Sequence, residues 1–583
     1  MTRRLDGGPA AGRTDPRGGP AGPARPAPGG RAGRALAMRR AWPAAAGLGL
    51  GLLALGPGLR RGFLLNYDMV AVPRQPFGAA MFGLTGGPAR AVPSDAVAAA
   101  LSRAIPADLA QKGLLLTIFV LSCAGAAALL DREPWFARLA AGVFYTWNPF
   151  VAERLIIGQW ALLLGYAGLP WVLRAALALG PGPSWRGAGR LALALIPAAA
   201  GGFAALAVTA LVAVPAAALG AAGPATRRRG TPGQALRSVA VAGAVLAVAS
   251  LPWLVPSLLR PVYADPAGVA AFAARADTPF GSVGSLAMLG GLWNARAVPA
   301  GYGGAWSALW LAVVAVAVAG FVLLAARQRR WPGLGLAAVA GLALACLGVT
   351  AAGRDLLRAA QSLWPGFAVL RDGQQFAAPL ALAEALGAGL AAAWLARPAA
   401  RPAPPRPGRP FVREGSGPDR AGWLLVVALV LAPVLLLPGL AWGAAGRLRP
   451  AWYPAAWLNA ARLIDRDPAA GKVLVLPWAS YLSPPWNGGR TVLDPWPRLL
   501  ARPVIWNDGP QVGPVALRPD DQEARALDRV IRGGGPLTGA LRAAGVRFVI
   551  IDGGGRADRL PGAVVLTASP GLAVYLLPGS TGK

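Results

Sequence analysis

The residues that could do chemistry in this sequence are carboxylates, arginines and hydroxyls at the ends of apolar segments. None of the 583 residues is histidine, which excludes imidazole bases, Ser-His-Asp triads and histidine-bound metals. The two cysteines, Cys123 and Cys346, lie inside apolar segments, far apart and without metal-ligand spacing. Catalysis by this chain must therefore rest on the remaining polar groups.

Four polar clusters lie where apolar segments begin or end. Polar groups beside membrane spans are costly, so they are by default functional candidates or helix-pairing groups. The clusters are "NYDMVAVPR" (66–74) with Tyr67, Asp68 and Arg74; "YTWNPFVAERLIIGQW" (145–160) with Glu153 and Arg154; "GFAVLRDGQQF" (366–376) with Arg371, Asp372, Gln374 and Gln375; and "PVYADPAG" (261–268) with Tyr263 and Asp265.

Each cluster also has a purely structural interpretation. Glu153 and Arg154 could pair with each other or cap a turn, because Pro149 should break the helix before them. Arg371 and Asp372 could form an ordinary interfacial pair. Asp68 could be a solvated loop residue, but its place immediately after the first span favours a role in a site.

The composition predicts a membrane protein with many spans. The chain is 55% hydrophobic and 14% charged, with a mean hydropathy of +0.48. Its net charge is +32, but the basic residues lie in the N-terminal tail and in short loops, where the positive-inside rule would place them. Nucleic-acid binding is therefore not expected.

Eleven membrane spans are predicted, since a bilayer core takes about 20 helical residues. Splitting 191–222 at Gly201-Gly202 returns the arginine-rich segment 226–237 to the cytoplasm. The spans are 41–59, 112–131, 137–152, 157–179, two in 191–222, 237–258, 304–326, 333–351, 374–396 and 422–444. Residues 1–40 are expected to form a disordered basic cytoplasmic tail, and 397–421 a Pro/Arg-rich cytoplasmic linker.

The outer face of this topology carries three loops, 60–111, 259–303 and 352–373, and the C-terminal segment 445–583. That segment contains short strand-like runs between helical stretches, which indicates a small extracytoplasmic α/β domain. The expected fold class is thus mostly α: a polytopic membrane protein of the cell membrane with 41–396 as its main helical domain. The polar clusters should meet at its outer surface.

The order of these parts resembles the GT-C superfamily of integral-membrane glycosyltransferases. These proteins have a carboxylate and an amphipathic helix in a long first outer loop, about a dozen spans and an outer C-terminal domain. More narrowly, "NYDMVAVPRQPF", "WNPFVAERLIIGQWALLLGYAGLPW" and "LRDGQQFAAPLAL" are similar to the membrane region of actinobacterial α-(1→3)-arabinofuranosyltransferase-like proteins, over roughly residues 40–400. Many GT-C enzymes carry two adjacent acidic residues in this loop, whereas Met69 follows Asp68 here.

The resemblance implies transfer of a sugar, such as arabinofuranose or mannose, from a polyprenyl-phosphate donor to a cell-envelope glycan or lipid. Asp68 would be the general base, and Arg371 and Arg154 would bind the donor phosphate. The other implied substrate contacts are Tyr67, Arg74, Glu153, Asp372, Gln374 and Gln375. No cofactor is expected, and a divalent metal has no support in the residue pattern. The alternative is a non-catalytic GT-C-like scaffold or a lipid-linked sugar translocator.

Overall fold

The computed structural model describes residues 29–583 apart from 88, 181, 221–230, 261, 326, 328–329, 398–419, 554–556, 578 and 580–583, with side chains from residue 41 onward. Most of the predicted tail 1–40 and of the predicted linker 397–421 therefore lies outside the described residues. Contacts divide the chain into Met1–Trp42 and a compact unit, Pro43–Lys583. Apart from the start of the first helix and of the first candidate span, all features discussed below belong to the second unit.

Helices make up most of the described chain. Several of them, such as 203–220, 306–320 and 334–346, are apolar around their whole circumference, as expected for helices surrounded by lipid and other helices. The helices are α1 Gly29–Leu55, α2 Ser94–Ala104, α3 Ala107–Leu129, α4 Trp135–Thr146, α5 Pro149–Ile156, α6 Trp160–Leu177, α7 Trp185–Gly201, α8 Phe203–Gly220, α9 Pro232–Leu259, α10 Gly268–Ala271, α11 Gly281–Ala287, α12 Trp306–Gly320, α13 Leu334–Cys346, α14 Ala351–Leu363, α15 Ala378–Leu395, α16 Arg420–Leu436, α17 Ala441–Gly446, α18 Ala455–Arg466, α19 Trp496–Leu499, α20 Gln522–Arg532 and α21 Thr538–Ala543.

Seven helical segments of the described chain are long and apolar enough to cross a membrane, and two bent pairs of helices raise the number to nine. The seven are Ala41–Leu59, Ala107–Leu129, Trp160–Leu177, Phe203–Gly220, Pro232–Leu259, Trp306–Ala325 and Gly373–Leu395. The pairs are Leu334–Val349 with Ala351–Leu363, bent by 97°, and Arg420–Leu436 with Pro438–Gly446, bent by 51°. The prediction of a mostly α, polytopic membrane protein is confirmed.

The described residues thus contain seven to nine candidate spans, against the eleven predicted. The predicted span 137–152 is divided, because α4 ends at Thr146 and Asn148 caps a separate helix, α5, that begins at Pro149. The break at Gly201-Gly202 is present between α7 and α8, but α7 has only 17 residues. Helix α4, with 12 residues, is shorter than a membrane-spanning helix, and α7 lies at the lower end of the range that a bilayer core takes.

The strand-containing C-terminal part is also confirmed. Its five-stranded sheet has the order β10-β11-β9-β3-β6, with β3 parallel to β9 and β6, and β11 antiparallel to β9 and β10. The strands of the chain are β1 Phe63–Leu64, β2 Pro450–Ala451, β3 Lys472–Leu476, β4 Tyr481–Leu482, β5 Val492–Leu493, β6 Val504–Ile505, β7 Gln511–Val512, β8 Val515–Ala516, β9 Val546–Asp552, β10 Val564–Ser569 and β11 Leu572–Leu576.

Alternation along strand β3 explains why this sheet is buried on both faces. Val473 and Val475 pack on one side with Trp457 of α18, whereas Leu474 packs on the other side with Leu527 of α20. The sheet therefore has helices on both faces, and the loops after its parallel strands are free to reach other parts of the chain.

The chain segment after the first predicted span joins the helical part to the C-terminal part. Strand β1 pairs antiparallel with β2, and Tyr67 forms a parallel bridge with Val492. The amide of Asn487 donates to the Leu65 carbonyl over 3.1 Å. Residues 63–70, called the junction segment below, are therefore held between the two parts of the fold.

Candidate active site

The junction segment contains a tight turn that presents Asp68. Backbone hydrogen bonds join Asn66 and Met69 in both directions, and Tyr67 at the tip has a φ of +47°, which is uncommon for a residue with a side chain. The backbone N–H of Asp68 donates to the Ile157 carbonyl over 2.9 Å. The turn is thus attached to the chain that leaves α5.

Contact between this turn and the end of α5 requires a glycine. Gly158 has a φ of +81°, and a Cβ atom built on it would lie 2.1 Å from the Met69 backbone nitrogen. Met69 itself is fully buried in the main apolar core. Residue 69, next to Asp68, is therefore packed among apolar groups, and Asp68 is the only acid of the turn.

The Asp68 carboxylate accepts two side-chain hydrogen bonds. The Tyr481 hydroxyl, at the start of β4, donates to Oδ1 over 2.6 Å, and the Gln159 amide donates to Oδ2 over 3.4 Å. Burial raises the pKa of Asp68 above its ordinary value, opposed by these two bonds and by the charges of Arg498 and Arg90. A carboxylate with a raised pKa is a stronger proton acceptor.

Arg154 connects Asp68 to the cluster at the entrance of α15. Its guanidinium forms a two-pronged ion pair with Asp372, at 2.6 and 2.8 Å, and its Nε donates to the Gln374 amide oxygen over 2.7 Å. A further N–H donates to the amide oxygen of Gln159, the residue that contacts Asp68. Arg154 is fully buried, and its positive charge is neutralised by the carboxylate of Asp372.

Glu153 lies on the inner side of this network. Its Oε2 accepts hydrogen bonds from the Gln374 amide over 3.2 Å and from the Leu292 backbone over 3.3 Å. Asp277, which the sequence did not single out, lies close enough to Glu153 to act on it by charge. Glu153 is fully buried. It therefore holds Gln374 from inside the protein and does not reach the surface.

Arg371 differs from Arg154 in its surroundings. It is buried, its guanidinium lies 4.5 Å from the ring centre of Phe272, and its buried NH1 has no hydrogen-bond partner among the described residues. It also forms no ion pair with any described residue. Burial and the positive charge of Arg90 lower the pKa of Arg371 to about 9, so it stays cationic at neutral pH. A cation in this setting favours an anionic ligand.

Three further residues of the site gave no signal in the sequence. Tyr481 and Arg498 come from the C-terminal part, and Arg90 comes from the loop before α2. Arg498 pairs with Asp95 over 2.9 Å, Arg90 pairs with Asp520, and both arginines lie close enough to lower the pKa of Asp68.

The predicted site residues are brought together only in part. Asp68, Glu153, Arg154, Asp372 and Gln374 share one hydrogen-bonded network through Gln159. Tyr67 flanks it, with its ring 6.1 Å from that of Tyr481.

Two of the predicted substrate contacts lie outside the network. The Gln375 amide donates to the Val369 carbonyl in its own turn. Arg74 is exposed and makes no hydrogen bond or ion pair with the described residues. Within the described part of the chain, no group of three or more acidic or cysteine side chains is arranged to hold a metal ion.

The predicted resemblance to arabinofuranosyltransferase-like membrane proteins is confirmed at the level of the fold. A comparison with solved structures matches the chain to the cryo-EM structure of arabinofuranosyltransferase AftD from mycobacteria, with a TM-score of 0.54 and 18% sequence identity. The match covers 93% of this chain and 40% of that protein, so the chain spans less than half of its length. No family model and no curated protein sequence matches. At this identity the likeness establishes a shared fold.

Replacing Gly158 by alanine should destabilise the Asp68 turn, because the new methyl group would overlap the Met69 backbone. We expect a loss of about 1–3 kcal/mol in stability, seen as a lower Tm of the purified protein in detergent. Gly180→Ala is the matched control, since Gly180 also has a positive φ but no atom within 4 Å of its Cβ position. Equal Tm values for the two variants would contradict the proposed contact.

Proposed function

We propose that this protein is a membrane glycosyltransferase that uses a polyprenyl-phosphate sugar and transfers the sugar to a hydroxyl of an envelope glycan or lipid. The observation that carries the proposal is that Arg90 acts by charge on both Asp68, a hydrogen-bonded carboxylate with a raised pKa, and Arg371, a buried cation that forms no ion pair with the described residues. The shared fold with an arabinofuranosyltransferase supports the reaction class.

Asp68 is proposed as the general base. A sugar hydroxyl is a weak nucleophile, so a carboxylate within hydrogen-bonding reach must take its proton as the oxygen attacks the anomeric carbon. The hydrogen bonds from Tyr481 and Gln159 orient the Asp68 carboxylate. The next residue, Met69, is a buried apolar side chain, so Asp68 would perform this role without an adjacent acid.

Arg371 is proposed to bind the donor phosphate. The leaving polyprenyl phosphate gains charge as the glycosidic bond breaks, and a guanidinium supplies donors that match phosphate oxygens. Arg154 was expected to share this role, but its named donors are bonded to Asp372, Gln374 and Gln159. We assign Arg154 to positioning Gln159 and Asp372.

Asp68→Asn should lower the turnover rate by about 10²–10⁴-fold, because the amide cannot accept the proton of the attacking hydroxyl. The assay incubates purified protein with a panel of polyprenyl-phosphate sugars and glycan acceptors and measures released polyprenyl phosphate. Asp355→Asn, which changes an exposed acid of α14, is the control. Full activity of the Asp68 variant would remove Asp68 from the base role, and no activity of the wild type with any donor would favour the non-catalytic scaffold.

Arg371→Gln should mainly weaken donor use, because the phosphate is present in both the bound donor and the transition state. We expect an increase of about tenfold or more in the donor KM, together with a lower kcat, relative to wild type. Arg462→Gln is the control, because Arg462 is an exposed arginine of α18 that bonds to Asn459. An unchanged donor KM in the Arg371 variant would contradict phosphate binding there.

Tyr481→Phe should move the acid limb of the pH profile of kcat/KM to higher pH. The Tyr481 hydrogen bond stabilises the charged form of Asp68 and so lowers its pKa. Without this bond the pKa rises further, and Asp68 becomes protonated and inactive at a higher pH. An acid limb that stays in place or moves to lower pH would show that Tyr481 does not act on the base.

A further inference from the structure

A groove lies between α3, α6 and α7, separate from the Asp68 site. It encloses about 590 Å³, within the size range of small-molecule sites. Its lining is mostly apolar and includes two arginines, Arg174 and Arg190. The lining residues are Leu121, Trp171, Arg174, Ala175, Ala178, Arg190, Leu193, Ala194 and Pro197.

The groove's arginines lie at the end of the helical bundle opposite the Asp68 site. Helix α6 begins at Trp160, directly after Gln159, and Arg174 follows about 21 Å further along its axis at 1.5 Å per residue. In α7, Arg190 lies near the start, whereas the far end reaches Gly202, whose Cβ position is 2.5 Å from the Val92 carbonyl in the loop that carries Asp68. The groove is therefore a second, independent feature.

The two arginines are available to a ligand. Arg174 has an acidic neighbour, Asp131, at 3.9 Å, and both side chains are more than half exposed, so this pair contributes little. Arg190 is exposed and makes no ion pair or hydrogen bond with the described residues. The Trp171 ring nitrogen is occupied, because it donates to the Leu121 carbonyl over 3.2 Å. The ring therefore serves as an apolar wall beside the two cations.

We propose that this groove binds an anionic phospholipid of the surrounding bilayer. The two guanidinium groups would hold the headgroup phosphate, because their forked donors match phosphate oxygens. The acyl chains would lie along the apolar side of the groove, where Leu193 is 67% exposed and faces out of the helix bundle. A membrane-facing wall with a pair of cations at one end is complementary to a lipid with a charged head and an apolar tail. This site is distinct from the proposed donor site and does not depend on glycosyl transfer.

The test compares binding of phosphatidylglycerol and phosphatidylcholine with identical acyl chains to delipidated, purified protein by native mass spectrometry. The wild type should bind phosphatidylglycerol more tightly. Replacing both Arg174 and Arg190 by glutamine should weaken phosphatidylglycerol binding about tenfold and leave phosphatidylcholine binding unchanged. Arg237→Gln is the matched control, since Arg237 is an exposed arginine at the same end of the bundle that does not line the groove.

A second variant keeps both charges and fills the space. Ala175→Trp should lower phosphatidylglycerol binding although Arg174 and Arg190 are intact, and it decides the question if the double variant does not fold. Equal binding of the two lipids by the wild type would overturn the proposal. Undiminished phosphatidylglycerol binding in the folded double variant or in Ala175→Trp would also overturn it.

Discussion

The site depends on the attachment of the junction segment, residues 63–70, to both parts of the fold. On one side Asp68 donates its backbone N–H to Ile157 at the end of α5. On the other side Tyr67 pairs with Val492, and the Asp68 carboxylate accepts a hydrogen bond from Tyr481. A backbone held from two sides retains an unfavourable conformation at Tyr67, and it keeps the carboxylate in one place.

Because of this attachment, the helical part and the C-terminal part contribute different residues to the same site. The helical part supplies the buried cation Arg371 and the neutral pair of Arg154 with Asp372, which joins α5 to the entrance of α15. The C-terminal part supplies Tyr481, which contacts the carboxylate directly, and Arg498, which acts on it by charge. The C-terminal part is thus more than an appended domain, because its residues act on the pKa of Asp68 in the junction segment.

Sequence patterns found the residues of the site better than their roles. Glu153, Arg154, Asp372 and Gln374 could be predicted because polar side chains beside apolar segments are costly and need a reason. The division of the predicted span 137–152 could not be predicted, since apolar length alone does not show that Asn148 caps a new helix. Nothing in the chain around Tyr481 marks it, because it lies in a two-residue strand within a stretch of mixed polarity.

The sequence by itself determined that the protein is a helical membrane protein, that no imidazole takes part in its chemistry, and that carboxylates and arginines gather beside its spans. These properties follow from composition and from apolar patterns among residues that are neighbours in the sequence. Only the tertiary structure decided that Arg154 is neutralised and that Tyr481 contacts Asp68. Those two contacts join residues 218 and 413 positions apart, and such a distance in sequence leaves no local pattern from which the pairing could be inferred.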